Sequence, residues 1–296
     1  MSYEYGLDVE NFVALDMHVH IEVDAHGHTS LPQKLIDAAT AYFRAEPARP
    51  TLDQVADYYR ERNMAAVVFT VDAETALGHN PIDSFEIAAG AATNNDVLIP
   101  FGSVDPLQPK KAVELAKKLI GDAGVKGFKF HPTVQNFAPH DESVFPLYEV
   151  LQEAGVPALF HTGQTGIGAG TPGGSGMRIG LSNPIHLDEV AAQFPELPII
   201  MAHPSVPWQD EAIAVATHKA NTWIDLSGWS PKYFPEALVR QANSLLKNKV
   251  LFGSDYPLLT PDRWLSDFEN APFKEEVRPL ILRENALRLL GLTSAG

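Results

Sequence analysis

Short apolar runs alternate along this chain with stretches in which apolar residues return every three or four positions. Eight runs rich in Val, Ile, Leu, Phe and Ala, near 12–20, 64–72, 97–105, 125–131, 157–162, 198–203, 221–228 and 249–255, read as buried β-strands. Between them, Leu52 to Asn63, Pro109 to Ile120, Val144 to Ala154, Ile185 to Phe194 and Pro235 to Leu246 carry helical periodicity. Strand followed by amphipathic helix, repeated, predicts an α/β fold: a (β/α)8 TIM barrel formed by residues 1–296 as one domain. A doubly wound open sheet is the rival, but the chain has no Gly-rich phosphate loop.

Two connections are too long for plain turns. Glu22 to Pro50 follows the first strand and predicts a cap segment over the barrel mouth, with a short helix near Leu35 to Phe43. Gly163 to Ser182 follows the fifth strand and is glycine-rich; it reads as a lid carrying Arg178 toward an anionic or carbonyl group, or as a surface loop with a solvated arginine. Arg283 to Leu292 reads as a closing helix capped by Gly291.

Composition narrows the chemistry. A formal net charge of -15, from 22 Lys+Arg against 37 Asp+Glu, disfavours nucleic acid and anionic membrane surfaces as partners. The absence of cysteine removes thiolate nucleophiles and Cys-built metal sites, leaving His, Asp, Glu and Lys as candidate ligands. Residues 1–12 lack the basic and apolar regions of a signal peptide, and no apolar run approaches a membrane span, so a cytoplasmic protein is expected.

The polar residues that interrupt the apolar runs fall at strand ends, where a barrel displays reactive groups. Val13-Ala14-Leu15-Asp16-Met17-His18-Val19-His20 ends in two histidines. Strict strand alternation puts Asp16, His18 and His20 on one face, where two imidazoles can share a metal. His161, His203 and Asp255 end the fifth, sixth and eighth runs. Together with Gly127-Phe128-Lys129-Phe130-His131-Pro132 and the tail Glu284-Asn285-Ala286-Leu287-Arg288-Leu289-Leu290, these motifs resemble the amidohydrolase superfamily over nearly the whole chain. The likeness is to its amidohydrolase-2 branch, the one that includes aminocarboxymuconate-semialdehyde decarboxylase.

That resemblance implies one divalent metal, zinc first, held by His18, His20, His161 and Asp255, with His203 as a nearby acid/base or carbonyl-polarising group. Asp255 would also act as general base. Lys129 sits where several binuclear members carry a carboxylated lysine, so a second metal bridged through it stays open. His131 either contacts substrate or caps its strand. Trp229, Trp208 and Tyr256 either wall an aromatic pocket or pack the barrel.

The expected reaction is metal-dependent hydrolysis of a small-molecule carbonyl substrate. The Gly-rich loop and the Trp229 region are similar to 4-hydroxyphenyl-β-ketoacyl-CoA hydrolases, which implies retro-Claisen cleavage of an aryl β-ketoacyl-CoA to an aromatic acid and acetyl-CoA. Such a CoA thioester would need local basic residues such as Arg178, Lys232 or Arg263. Non-oxidative decarboxylation of an aromatic or muconate-type acid, or another hydrolase or lactonase reaction of the branch, is the alternative. Homodimers are common in the family, so a homodimer is a further expectation.

Overall fold

Each expected strand forms, and each is shorter than its apolar run. In the computed structural model, which describes residues 2–43 and 48–292, the strands are β1 (Ala14–His20), β2 (Met64–Phe69), β3 (Leu98–Pro100) and β4 (Phe128–Phe130). They are followed by β5 (Ala158–His161), β6 (Ile199–Ala202), β7 (Thr222–Asp225) and β8 (Val250–Leu251). Pairing is parallel throughout, in the orders β1-β2-β3 and β4-β5-β6-β7-β8. Backbone hydrogen bonds join the two sheets at both edges. Gly102 N donates to Gly127 O and Lys129 N to Gly102 O, while Met17 N donates to Phe252 O and His20 N to Tyr256 O, all at 2.8–2.9 Å. The eight strands are thus linked in a ring, the TIM-barrel arrangement.

The ring sorts its apolar residues into two populations. Leu15, Met17, Ala65, Val67, Ile99, Leu159, Ile200 and Leu251 pack together as one cluster. Ala14, Val19, Ala66, Val68, Phe130, Phe160 and Met201 belong to the larger cluster shared with the helices. That sorting corrects one expectation. The register runs from Asp16↔Ala66 to Val19↔Val68, so β1 holds one residue more than β2 across this interval. The extra residue is a β-bulge, and a bulge shifts alternation by one. Asp16 therefore does not share a face with His18 and His20. Its buried carboxylate accepts from Tyr59 Oη at 2.6 Å, Ser254 N at 2.9 Å and His18 N at 3.0 Å.

Between the first two strands lie helix α1 (Gln33–Phe43), as expected of the cap, and α2 (Leu52–Glu61), which carries Tyr59. Four other helices form near their expected places, at Pro109–Lys118, Phe145–Ala154, His186–Gln193 and Glu236–Ala242. The helices Ser84–Thr93, Gln209–His218 and Pro261–Glu269 also form; the first two have weak apolar periodicity, whereas the third is clearly amphipathic and was not among the expected helices. The closing segment is split into a short π-helix, Leu280–Glu284, and a short α-helix, Asn285–Leu289. Gly291, at φ +67°, closes it as expected, with Leu292 N donating to Leu287 O. Among the described residues no helix is long and apolar enough to cross a membrane.

Because the Asp16 carboxylate ties β1, the β8 end and α2 together, Tyr59→Phe is expected to lower unfolding free energy by about 1–3 kcal/mol, the cost of removing one partner of a buried charged acceptor. Chemical denaturation of the variant beside the parent checks this, and an unchanged midpoint would refute it.

Candidate metal centre

Four strand ends build the floor of a cavity of about 560 Å³ at the C-terminal face of the barrel. From β1, His18 Nε2 and His20 Nε2 lie 3.2 Å apart, and Asp255 Oδ1, beyond β8, lies 3.3 and 3.2 Å from them. Among the described residues these are the one group of three His, Asp or Glu side chains whose donor atoms all fall within 4.8 Å of one another. Asp255 reaches the group because its backbone turns to φ +71°, off the ladder, with its N–H held by His18 O.

The hydrogen bonds around the floor fix which atoms are free to bind. His18 Nδ1 lies 2.6 Å from Asp225 Oδ2 and donates its proton there, so Nε2 presents a lone pair to the floor. Carboxylates that orient a ligating imidazole in this way are a recurrent feature of metal sites. Burial first, then the Lys129 amine and the other imidazoles, hold His18 well below the usual histidine range, so it is neutral. Burial pushes Asp255 up, but the His20 hydrogen bond first, with the electrostatic influence of the surrounding imidazoles and the Lys129 amine, outweighs it and holds the carboxyl down at about 2. A lone pair and a carboxylate thus face one point. Lys129 Nζ already donates to His18 Nε2 at 2.9 Å.

His161 stands just outside this group, and its neighbours settle its tautomer. His203 Nδ1 lies 3.1 Å from Ser227 O, a carbonyl that can only accept, so Nδ1 carries the proton and Nε2 is an acceptor. That Nε2 lies 2.9 Å from His161 Nδ1, which must therefore donate. The remaining nitrogen, His161 Nε2, is a lone pair that is buried and without a hydrogen-bond partner. A buried acceptor left open in a wall of the same cavity is what a metal-ligating imidazole looks like before its ion is bound. The donor atoms that converge, two imidazole nitrogens and one carboxylate oxygen, are of the kinds that hold zinc or a comparable divalent ion, and His161 Nε2 could add a third imidazole.

The remaining expected residues are placed unevenly. His131 lines the cavity, stacks on His161 with ring centroids 3.8 Å apart, and caps the helix Pro132–Gln135 by accepting from Val134 N. Trp229 lines the cavity and also packs against the core. Arg178 does not line it. Its guanidinium donates to Asn136 Oδ1 at 2.7 and 3.1 Å, because Asn136 ends the neighbouring helix with its side chain toward the loop. The Gly-rich loop does contribute to the wall, through Gln164 to Ile167, and the cap contributes Ile36, Ala39 and Tyr42. Trp208 is not among the lining residues. Tyr256 stacks on Tyr58 at 4.9 Å, also away from the lining. His28 and His79 bind the backbone carbonyls of Asn80 and Thr29 instead of facing the floor.

Asp225 and Ser227, which both contact His18 Nδ1, escaped the sequence reading. Asp225 ends β7 as His161 ends β5, and Ser227 follows two positions later, so the signal that found the histidines was present there in acidic form.

A family model described as Amidohydrolase matches residues 16–292. No curated protein matches the chain in sequence. Solved structures are similar in fold. A TIM-barrel protein from Bordetella bronchiseptica is 22% identical, with a TM-score of 0.76, over 94% of this chain and 98% of that one. A dihydroxybenzoic acid decarboxylase from a Polaromonas species, bound to manganese and the inhibitor 2-nitroresorcinol, is 16% identical with a TM-score of 0.69, over 96% and 98%. A probable 2-pyrone-4,6-dicarboxylic acid hydrolase from Acinetobacter baumannii is 15% identical with a TM-score of 0.61, over 95% and 100%.

His161→Ala is expected to lower the content of copurifying divalent metal sharply, since it removes one of four donors. Asp225→Asn should weaken metal affinity by about 10–100-fold, the usual effect of losing the partner of a ligating imidazole. Elemental analysis and metal titration check both, and full occupancy in His161→Ala would remove that residue from the ligand set.

Proposed function

The chain belongs to the amidohydrolase family, and from that premise we propose that it is a divalent-metal-dependent hydrolase acting on the carbonyl of a small compound with an apolar, aromatic body. The observation that carries this reading is the convergence of His18, His20 and Asp255 beside the unpartnered His161 Nε2 at the floor of an otherwise largely apolar cavity. Zinc suits the imidazole donors, and manganese occupies one of the similar structures.

A divalent ion held there would supply a Lewis acid that lowers the pKa of water and polarises a carbonyl oxygen. The chain's own residues do the rest. Asp255, ionised at neutral pH, offers its second oxygen, Oδ2, as proton acceptor. Gly228, at φ +75°, keeps the approach to that oxygen open: a Cβ there would lie 3.1 Å from Asp255 Oδ2 and 2.7 Å from His203 Nδ1. His203 holds the His161 tautomer while itself lining the cavity. Trp229, Ile21, Leu31 and Ile167 give the substrate body apolar surface and exclude water from it.

Within this class, the reading we carry forward is retro-Claisen hydrolysis of an aryl β-ketoacyl thioester. The cavity has room for an aryl ketone, and its lining includes the basic residues Arg49 and Arg263, paired with Glu22 at 3.6 Å and Asp267 at 3.9 Å. Decarboxylation of an aromatic acid is favoured by a different observation, the decarboxylase among the similar structures. Lys129 offers a second metal arrangement. It is fully buried, with its amine held down at about 7 chiefly by burial, and as a carboxylated side chain it would bridge two ions.

Metal-loaded protein offered an aryl β-ketoacyl-CoA in labelled water is expected to release acetyl-CoA and a benzoate carrying solvent oxygen. Release of CO2 from an aryl carboxylic acid with no acetyl-CoA from the thioester would move the protein to the decarboxylases. One ion per chain is expected; two ions, with a mass increase of one CO2 on Lys129, would establish the bridged form. For His203→Asn we expect metal affinity to fall by about 10–100-fold, as for other residues that orient a ligand. Full metal content with turnover cut by about 100-fold would instead make His203 the acid/base group.

A further inference from the structure

The Ser227 hydroxyl is fully buried and lies 3.0 Å from each of three polar atoms, Asp225 Oδ2, His18 Nδ1 and His203 Nδ1. A hydroxyl has one proton to give and two lone pairs with which to receive. Both ring nitrogens already carry protons, His18 Nδ1 toward Asp225 Oδ2 and His203 Nδ1 toward Ser227 O. Asp225 Oδ2 is therefore the acceptor for the hydroxyl proton, and the two lone pairs face the two N–H groups. Every hydrogen-bonding position of the oxygen is used.

The backbone here is held without that hydroxyl. Leu226 N donates to Leu251 O at 3.0 Å, Ser227 N to Asp225 Oδ1 at 2.9 Å, and Leu226 O accepts from Trp264 Nε1 at 3.2 Å. Alanine would serve the turn after β7 equally well. What the hydroxyl adds is a branch. Asp225 meets His18 directly, and through Ser227 Oγ it also meets His203. His203 Nε2 in turn accepts from His161 Nδ1 and leaves His161 Nε2 as the buried open acceptor. We infer that Ser227 is a positioning residue: its hydroxyl lets one carboxylate, Asp225, orient two imidazoles of the cavity, His18 directly and His161 through Ser227 and His203. The inference rests on the metal-floor reading of the proposed function for the part these rings play in binding an ion. Buried hydrogen bonds that end on a carboxylate fix a ring before its ion arrives, which is how the partners of ligating imidazoles raise affinity.

Imidazole nitrogen–proton NMR spectra of the histidine-labelled, metal-free protein read the rings themselves. In the parent, the Nδ1 protons of His18, His203 and His161 are expected to be present and slow to exchange. In Ser227→Ala the His203 and His161 protons should exchange about tenfold faster, while that of His18, still held by Asp225, changes less. Zinc affinity, measured by titration, should fall by about tenfold. The melting temperature should move by no more than about 4 °C, the scale of one hydrogen bond in a chain of this size. The inference is overturned if the parent carries the His203 proton on Nε2, a result that needs no variant. It is also overturned if the His203 and His161 protons, or the zinc affinity, are unchanged in Ser227→Ala. A lower melting temperature with unmoved imidazole protons, the mark of a structural serine, overturns it too. A parent whose imidazole protons behave as expected but which binds no zinc would overturn the metal floor alone.

Discussion

The carboxylate of Asp16 fixes the geometry on which the rest of the site depends. It lies under the β1 bulge and accepts from His18 N within its own strand, Ser254 N beside the eighth strand and Tyr59 Oη on α2. Burial pushes this carboxyl up to about 6, against the lowering effect of those hydrogen bonds. One anion thereby holds the bulge, closes β1 against the β8 end and anchors a helix. The consequence is directional. Met17 stays in the inner apolar cluster, while His18 and His20 both turn to the floor of the cavity, where Asp255 is delivered from the other side of the same seam.

Above that anchor, buried hydrogen bonds orient the imidazoles. Asp225 draws the Nδ1 proton of His18, and the carbonyl of Ser227 draws that of His203, which in turn takes the proton of His161. Each link is buried, so burial keeps the imidazoles neutral and their relative orientation is set before any ligand arrives. Burial acts in opposite senses on the charged pair behind them, raising the Asp225 carboxyl to about 8 and lowering the Lys129 amine to about 7. A cation bound at the floor would favour the ionised carboxylate and disfavour the ammonium.

The fold sets where chemistry occurs and leaves its kind to the walls. The similar structures include a decarboxylase and a hydrolase on the same barrel. In this chain the walls come from α1, from Gln164 to Ile167 and from Trp229, so the cap and the glycine-rich loop meet over the floor. Gly170 makes that meeting possible. At φ +74° it has no Cβ, and one placed there would lie 3.2 Å from the Tyr42 ring.

The sequence by itself determined the alternation of strand and helix, the cap, the closing glycine and the strand-end residues His18, His20, His161, His203 and Asp255. These were legible because apolar periodicity and polar strand ends are local properties. Tertiary structure decided what local pattern cannot express. The bulge moved Asp16 to the helix side, since a strand's register depends on its neighbour's residue count as well as its own. Arg178 was drawn to Asn136, a partner 42 positions away. Asp225 became the orienting partner of His18 across 207 positions, and His161 Nε2 was left without a mate. Hydrogen bonds satisfied between distant strands, and those left unsatisfied, exist only once the ring has closed.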